Sequence, residues 1–249
     1  MRSALGLCAA ALIGVTGCGN ERSHGVAGTQ ATRQSCAAGS FHVLGSRDRA
    51  YAAVVRSHAT VLRRPAGPVL HRFGRLNVNG VPTVFGILGQ RVDAACRPML
   101  YRVQVPVRPN GVTGWVAARE VSVASVRTRI EVDLSSRRLT LFRAGRPFLH
   151  ATVAIGSSAT PTPPGRYYVN QRLIPQDASG PFGPGAVGIS AFSNVLTGWT
   201  QGGPIAIHGT NAPSSIGRAV SNGCIRLPNA VLRRVFRLAL AGTPVIIHP

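Results

Sequence analysis

Residues 130–155 read IEVDLSSRRLTLFRAGRPFLHATVAI, and this stretch decides the fold class. Ile130, Val132 and Leu134 alternate with Glu131 and Asp133, the two-residue period of a half-buried strand. Ser135-Ser136 turns the chain into Leu139-Thr140-Leu141-Phe142, and Gly145-Arg146 turns it again into Phe148–Ile155. Strand-type runs with turn chemistry at each break predict a β-meander. Downstream, Thr160-Pro161-Thr162-Pro163-Pro164-Gly165 is a rigid, non-helical loop leading into a strand at Arg166–Asn170. Gln176–Gly188 carries four glycines and two prolines and reads as a long loop. Ile205–Ile207 is a further strand, which delivers His208. One helix is predicted, at Asn229–Ala241. Val231, Leu232, Val235, Phe236 and Leu238–Leu240 face inward, Arg233, Arg234 and Arg237 face out, and Gly242 ends it. Pro244–Ile247 is a terminal strand. The fold class is mainly β with one late helix.

Working upstream, 126–249 is the domain that carries this pattern, and 41–125 is a separate small β domain. Its short strand-type runs are Tyr51–Val55, Thr60–Leu62, Thr83–Leu88, Tyr101–Val107 and Gly114–Val116. Gly114-Trp115-Val116-Ala117 with Glu120-Val121 resembles the closing segment of bacterial SH3-like domains, so a small SH3-like barrel is expected. Residues 19–40, rich in Gly, Ser, Thr, Ala and Gln, read as a flexible tether. Residues 1–18 read as a lipoprotein signal peptide: Met1-Arg2 is a short basic start and Leu5–Val15 an apolar run too short to span a bilayer. Val15-Thr16-Gly17-Cys18 then resembles a lipobox with Cys18 as the lipidated residue. The protein is therefore expected to be exported and lipid-anchored at the outer face of the cytoplasmic membrane, facing the cell wall.

The chain of 249 residues is long enough for one large or two modest domains, and 45% hydrophobic residues exclude a disordered one. Its formal charge is +21, and all 28 basic residues are arginine. They are scattered, with no aromatic-interleaved cluster and no nucleic-acid motif, so no nucleic-acid partner is expected. A basic surface beside an anionic membrane or wall is the better physical reading. In an oxidising compartment Cys36 and Cys96 either pair or stay as two buried thiols, and Cys224 is the odd thiol out.

That thiol sits in the chemically richest part of the chain. IAIHGT at 205–210 is followed by SNGCIR at 221–226, placing His208 16 residues ahead of Cys224. A thiol attacks as a thiolate, and an adjacent imidazole is the usual group to take its proton. Gly223 permits a tight turn beside the sulfur, and the backbone amides of Gly223 and Cys224 are candidate oxyanion donors.

His208-Gly209-Thr210 with Ser221-Asn222-Gly223-Cys224-Ile225-Arg226 resembles the L,D-transpeptidase family, the YkuD-type catalytic domain. The hairpin at 130–142, Val153-Ala154-Ile155-Gly156 and the TPTPPG loop fall where such domains carry similar sequence, and the similarity spans roughly residues 127–248. The resemblance implies peptidoglycan chemistry without metal or cofactor. Cys224 would attack a tetrapeptide stem between its third and fourth residues, expelling D-alanine. His208 would be the base, and a neighbouring stem would accept the acyl group in a 3→3 cross-link, on a site that carbapenems would also acylate. Asn222 stands where many members have histidine, so a two-histidine scheme is excluded and the Gly209 carbonyl is expected to orient His208. Ser221, Asn222 and Arg226 are the candidate substrate-binding residues, the last for a carboxylate, since its planar fork suits one. A papain-like amidase reverses the Cys/His order and a sortase spaces its residues far more widely. Two alternatives stay open: L,D-carboxypeptidase action with water as acceptor, and a non-catalytic wall-binding lipoprotein.

Overall fold

A computed structural model describes residues 35–249, so the signal segment, Cys18 and most of the 19–40 tether lie outside the described residues. The last residues of that tether belong to the folded body. Cys36 is disulfide-bonded to Cys96, and the Gly39 N–H donates to Val92 O at 2.8 Å. The crosslink closes a loop of sequence separation 60, which stabilises the fold by about 4 kcal/mol through the chain entropy it removes from the unfolded state.

Eight antiparallel strands make the first sheet: β1 (Phe41–Val43), β2 (Ala50–Val55), β3 (His58–Leu62), β4 (Val69–Gly74), β5 (Val84–Val92), β6 (Pro98–Gln104), β7 (Thr113–Ala117) and β8 (Val121–Val126). Their order is β4-β3-β7-β6-β5-β2-β8, with β1 also on β5. The core holds Val61, Phe85, Val103 and Val116. Trp115 lies edge-on to Phe41 and under the Arg91 guanidinium, at the margin of that core.

Only Arg127 separates β8 from the second sheet. Its strands are β9 (Thr128–Asp133), β10 (Arg138–Arg143), β11 (Arg146–Thr152), β13 (Gly165–Leu173), β14 (Ala186–Phe192), β15 (Pro204–His208), β17 (Ile225–Arg226) and β18 (Pro244–His248), with the short pair β12 (Ile155–Gly156) and β16 (Ala219–Ser221) beside it. The order is β11-β10-β9-β18-β13-β14-β15-β17, and the meander forms its β9–β10–β11 edge. Ile130, Val132, Leu139 and Leu141 are each fully buried, as their alternation demands. Three pairings are parallel, β18 on β9, β17 on β15 and β12 on β16; the second builds the site.

Three expectations are corrected. The loop expected at Gln176–Gly188 ends at Gly185, because Ala186–Phe192 is a central strand whose residues are almost all buried. A continuous buried run lacks the alternation that marks a half-exposed strand. The helix, α1, spans Asn229–Leu238 rather than running to Ala241, since Ala239 leaves helical geometry. Leu240 is accordingly exposed, while Leu232 and Val235 are the residues that bury the helix against the sheet.

The two sheets lie within one compact unit. Tyr168, fully buried on β13, donates its hydroxyl to Val84 O at 3.0 Å, and Gln104 Nε2 donates to Arg166 O at 2.9 Å. Arg108 reaches across to Ser193 O at 2.6 Å.

Candidate active site

Strand alternation and one parallel register assemble the site. Ile205 and Ile207 point into the core, which turns Ala206 and His208 to the other face of β15. β17 pairs beside it with Ile207 opposite Ile225 and His208 opposite Arg226. Cys224, one residue ahead of β17, falls level with Ala206 and on the face that carries His208. A one-residue slip would send the thiol into the core instead, and the buried Ile225 and Leu227 forbid it.

The Ser221–Cys224 turn is held by four hydrogen bonds. Gly223 has φ +108°, and a Cβ there would approach Ile205 to 2.9 Å, so only glycine fits. Ser221 Oγ accepts the Gly223 N–H at 3.1 Å and donates to Cys224 O at 2.5 Å. Thr160 Oγ1 donates to Ser221 O at 2.9 Å. Thr162, a buried threonine of the proline-rich loop, donates Oγ1 to Gly223 O at 2.8 Å and accepts the Gly156 N–H at 2.9 Å. Two expected roles therefore change. Ser221 is an internal brace rather than a substrate contact, being almost fully buried with its hydroxyl taken up by the turn. The Gly223 N–H belongs to Ser221 and is not a free oxyanion donor. Asn222, by contrast, is exposed at the tip.

His208 is buried, with its Nδ1 2.6 Å from Gly209 O. A carbonyl only accepts, so the proton sits on Nδ1 and the Nε2 lone pair is free. Gly209 itself is fixed by packing, because a Cβ there would collide with Asn229 Oδ1 at 2.3 Å. That same Asn229 oxygen accepts the Thr210 N–H at 2.8 Å. Phe182, half-exposed on the loop before β14, lies edge-on to the imidazole with ring centroids 5.0 Å apart. Burial pushes His208 down to about 4, the Gly209 hydrogen bond opposes this, and the Arg226 charge adds to it. Burial pushes the Cys224 thiol up, while a hydrogen bond from the Ala206 backbone and the Arg226 charge pull it back. Both groups are therefore neutral at pH 7, and the imidazole is a base waiting for a proton. Arg226 is half-buried; its Nε makes no hydrogen bond, and no carboxylate pairs with it among the described residues. Cys224 is the free cysteine among the described residues and is partly open to solvent.

One consequence is measurable in stability. The unfolded chain binds a proton at His208 near pH 6.5 and the folded protein only near 4, so stability held at neutral pH is lost as pH falls through that window. The loss is about 3 kcal/mol. Urea unfolding at pH 7 and pH 4 is expected to show the wild type losing about that much more than His208→Gln; parallel losses would contradict the buried neutral imidazole.

Residues missing from the sequence reading are Thr160, Thr162, Asn229 and Phe182. The TPTPPG motif was legible as a rigid loop, but nothing in it reveals that its threonines brace a turn some sixty residues away.

Comparisons with known proteins bear on the second sheet and its helix. Residues 127–247 match the model of the YkuD L,D-transpeptidase catalytic domain. A YkuD protein of Bacillus licheniformis bearing the L,D-transpeptidase name is 37% identical over 121 residues, covering 49% of this chain and 66% of its own. Its counterpart in Bacillus subtilis is 35% identical over 119 residues, covering 48% and 65%. The chain thus spans just under two thirds of the length of these relatives. Among solved structures, a cysteine-to-serine mutant of the Enterococcus faecium L,D-transpeptidase is 26% identical, with a TM-score of 0.38 over 48% of this chain and 49% of that one. Residues 127–247 of this chain therefore form a catalytic domain of the YkuD L,D-transpeptidase family.

Proposed function

We propose that the protein is a cysteine-dependent peptidoglycan L,D-transpeptidase that forms 3→3 cross-links. The observation that supports this most is the β15–β17 register, which sets Cys224 and His208 on one face with the His208 Nε2 lone pair unengaged. In acylation, Cys224 Sγ attacks the carbonyl between stem residues three and four as His208 Nε2 takes its proton. The imidazolium then returns that proton to the departing D-alanine amine, leaving a thioester. The Gly209 carbonyl supports the transient imidazolium through Nδ1. In the second half, the side-chain amine of a neighbouring stem attacks the thioester, His208 accepts its proton, and the thiol is restored. With the Gly223 N–H engaged by Ser221, the Cys224 N–H is the backbone donor of this pair left for the oxyanion. Arg226, half-buried and without a carboxylate partner, holds a stem carboxylate, and exposed Asn222 lies at the mouth of the site.

Product analysis tests the reading. The purified protein is incubated with a defined disaccharide-tetrapeptide, alone and with a second stem as acceptor. Released D-alanine together with a 3→3 dimer is the expected result. D-alanine release without dimer would assign water as acceptor, and neither product would overturn the enzymatic reading. Export and anchoring through Cys18, with the first β domain spacing the catalytic domain from the membrane or placing it on the glycan, complete the proposal.

A further inference from the structure

A groove of about 390 Å³ runs along the junction of the two sheets and includes neither Cys224 nor His208. The volume is within the range of sites that enclose a small ligand. Its composition departs sharply from that of the chain. Five of the chain's sixteen carboxamides line it, Asn77, Asn79, Asn170, Gln171 and Gln201, whereas only one of its 28 arginines does. In a protein of charge +21, a groove so poor in charge is not built for a polyanion.

The amides are ordered across the junction. Gln171 Oε1 on β13 accepts from Asn77 Nδ2 and from Asn79 Nδ2, both at 2.9 Å, and Gln201 Nε2 donates to Asn79 Oδ1 at 3.0 Å. These bonds use the Gln171 oxygen and leave its amide N–H groups uncommitted. Asn170 Oδ1 is buried at the groove without a hydrogen-bond partner, an acceptor in want of a donor. Beside the amides, the His71 and Phe73 rings meet at 49° with centroids 4.5 Å apart, giving an aromatic corner. A carboxamide presents the same donor–acceptor pair as an acetamido group, and an aromatic face suits the C–H side of a pyranose ring. Position adds to composition. The groove reaches Pro204 at the start of β15, four residues from His208 on the same strand, or roughly 13 Å at 3.3 Å per residue.

We infer that this groove binds a neutral, N-acetylated glycan, so that the sugar strand lies on the domain junction while its stem peptide reaches Cys224. The identity of the glycan rests on the peptidoglycan reading above. The test is calorimetric titration of the full chain carrying Cys224→Ala with a β-1,4 tetramer of N-acetylglucosamine and with its de-acetylated counterpart. The acetylated tetramer is expected to bind at least tenfold more tightly than the de-acetylated one. His71→Ala and Gln171→Leu are each expected to weaken it at least fivefold. His71 is exposed, so its removal leaves the fold intact, and the Gln171 variant is checked by its urea midpoint. No binding, or equal binding by His71→Ala, overturns the inference. Transfer by the wild-type chain on a sugar-free tetrapeptide is read separately. Transfer without tetramer binding removes the groove alone, and tetramer binding without transfer removes the enzymatic reading alone.

Discussion

Cys224→Ala is expected to lower L,D-transpeptidation at least about a thousandfold and to abolish any covalent adduct with a carbapenem, read by intact mass. No other described residue can replace the thiol. Cys36 and Cys96 are bonded to each other, and the neighbouring hydroxyl of Ser221 is buried and engaged in the turn. Cys224→Ser is expected to fail as well. With His208 held at about 4, the imidazole is too weak a base for an alcohol, and only a more acidic thiol yields its proton as the new bond forms. The same neutrality makes the resting protein slow toward a simple alkylating reagent. Iodoacetamide labelling of Cys224 at pH 7 is expected to be no faster than labelling of an unperturbed thiol, because burial keeps the proton on sulfur. Rapid labelling with an inflection near pH 4 would indicate a preformed thiolate–imidazolium pair and overturn this mechanism. Unreduced cross-linking by the alanine variant would overturn the nucleophile itself.

What could be read beforehand follows from which interactions are local. The β9–β11 meander was legible because Ile130, Val132, Leu139 and Leu141 alternate and turn residues mark its breaks. His208 and Cys224 were legible because the parallel β15–β17 pair is short, and the residues that lie side by side also lie in two compact motifs. β14 was not, since a strand buried on both faces loses its alternation, and Gly188 within it imitates a loop. In the first sheet β1, β4 and β8 went unread for a related reason. β1 is three residues long and exposed throughout, and β8 has four exposed residues between two buried ones, so burial follows a two-residue period in neither. The bracing of the nucleophile turn was invisible because its partners come from a separate loop. The Gly223 amide is a case where a local motif misled: the same serine that marks the SNGC signature removes the N–H that seemed free for catalysis.

Thr162→Val is the sharpest test of that bracing. Valine keeps the shape of threonine and removes the hydroxyl, so the change isolates two hydrogen bonds. The Gly156 N–H and the Gly223 carbonyl would both be left buried without their partner, at about 1–3 kcal/mol each. A stability loss of about 2–5 kcal/mol is therefore expected in urea unfolding. The effect on chemistry is separate. Gly223 immediately precedes the nucleophile, and freeing its carbonyl lets the turn relax, which misplaces Sγ relative to His208 Nε2. A displacement of about 1 Å costs on the order of a hundredfold in rate, so the acylation rate of Cys224 should fall by about 10- to 100-fold at saturating donor. Because Thr162 touches the turn rather than the substrate, the loss should appear in kcat and leave KM nearly unchanged. Thr162→Ser restores the hydroxyl without the methyl group and should recover most of the rate, which a purely packing role would not allow. A valine variant that acylates at the wild-type rate, or a serine variant as slow as valine, would show that the proline-rich loop merely neighbours the nucleophile and does not hold it.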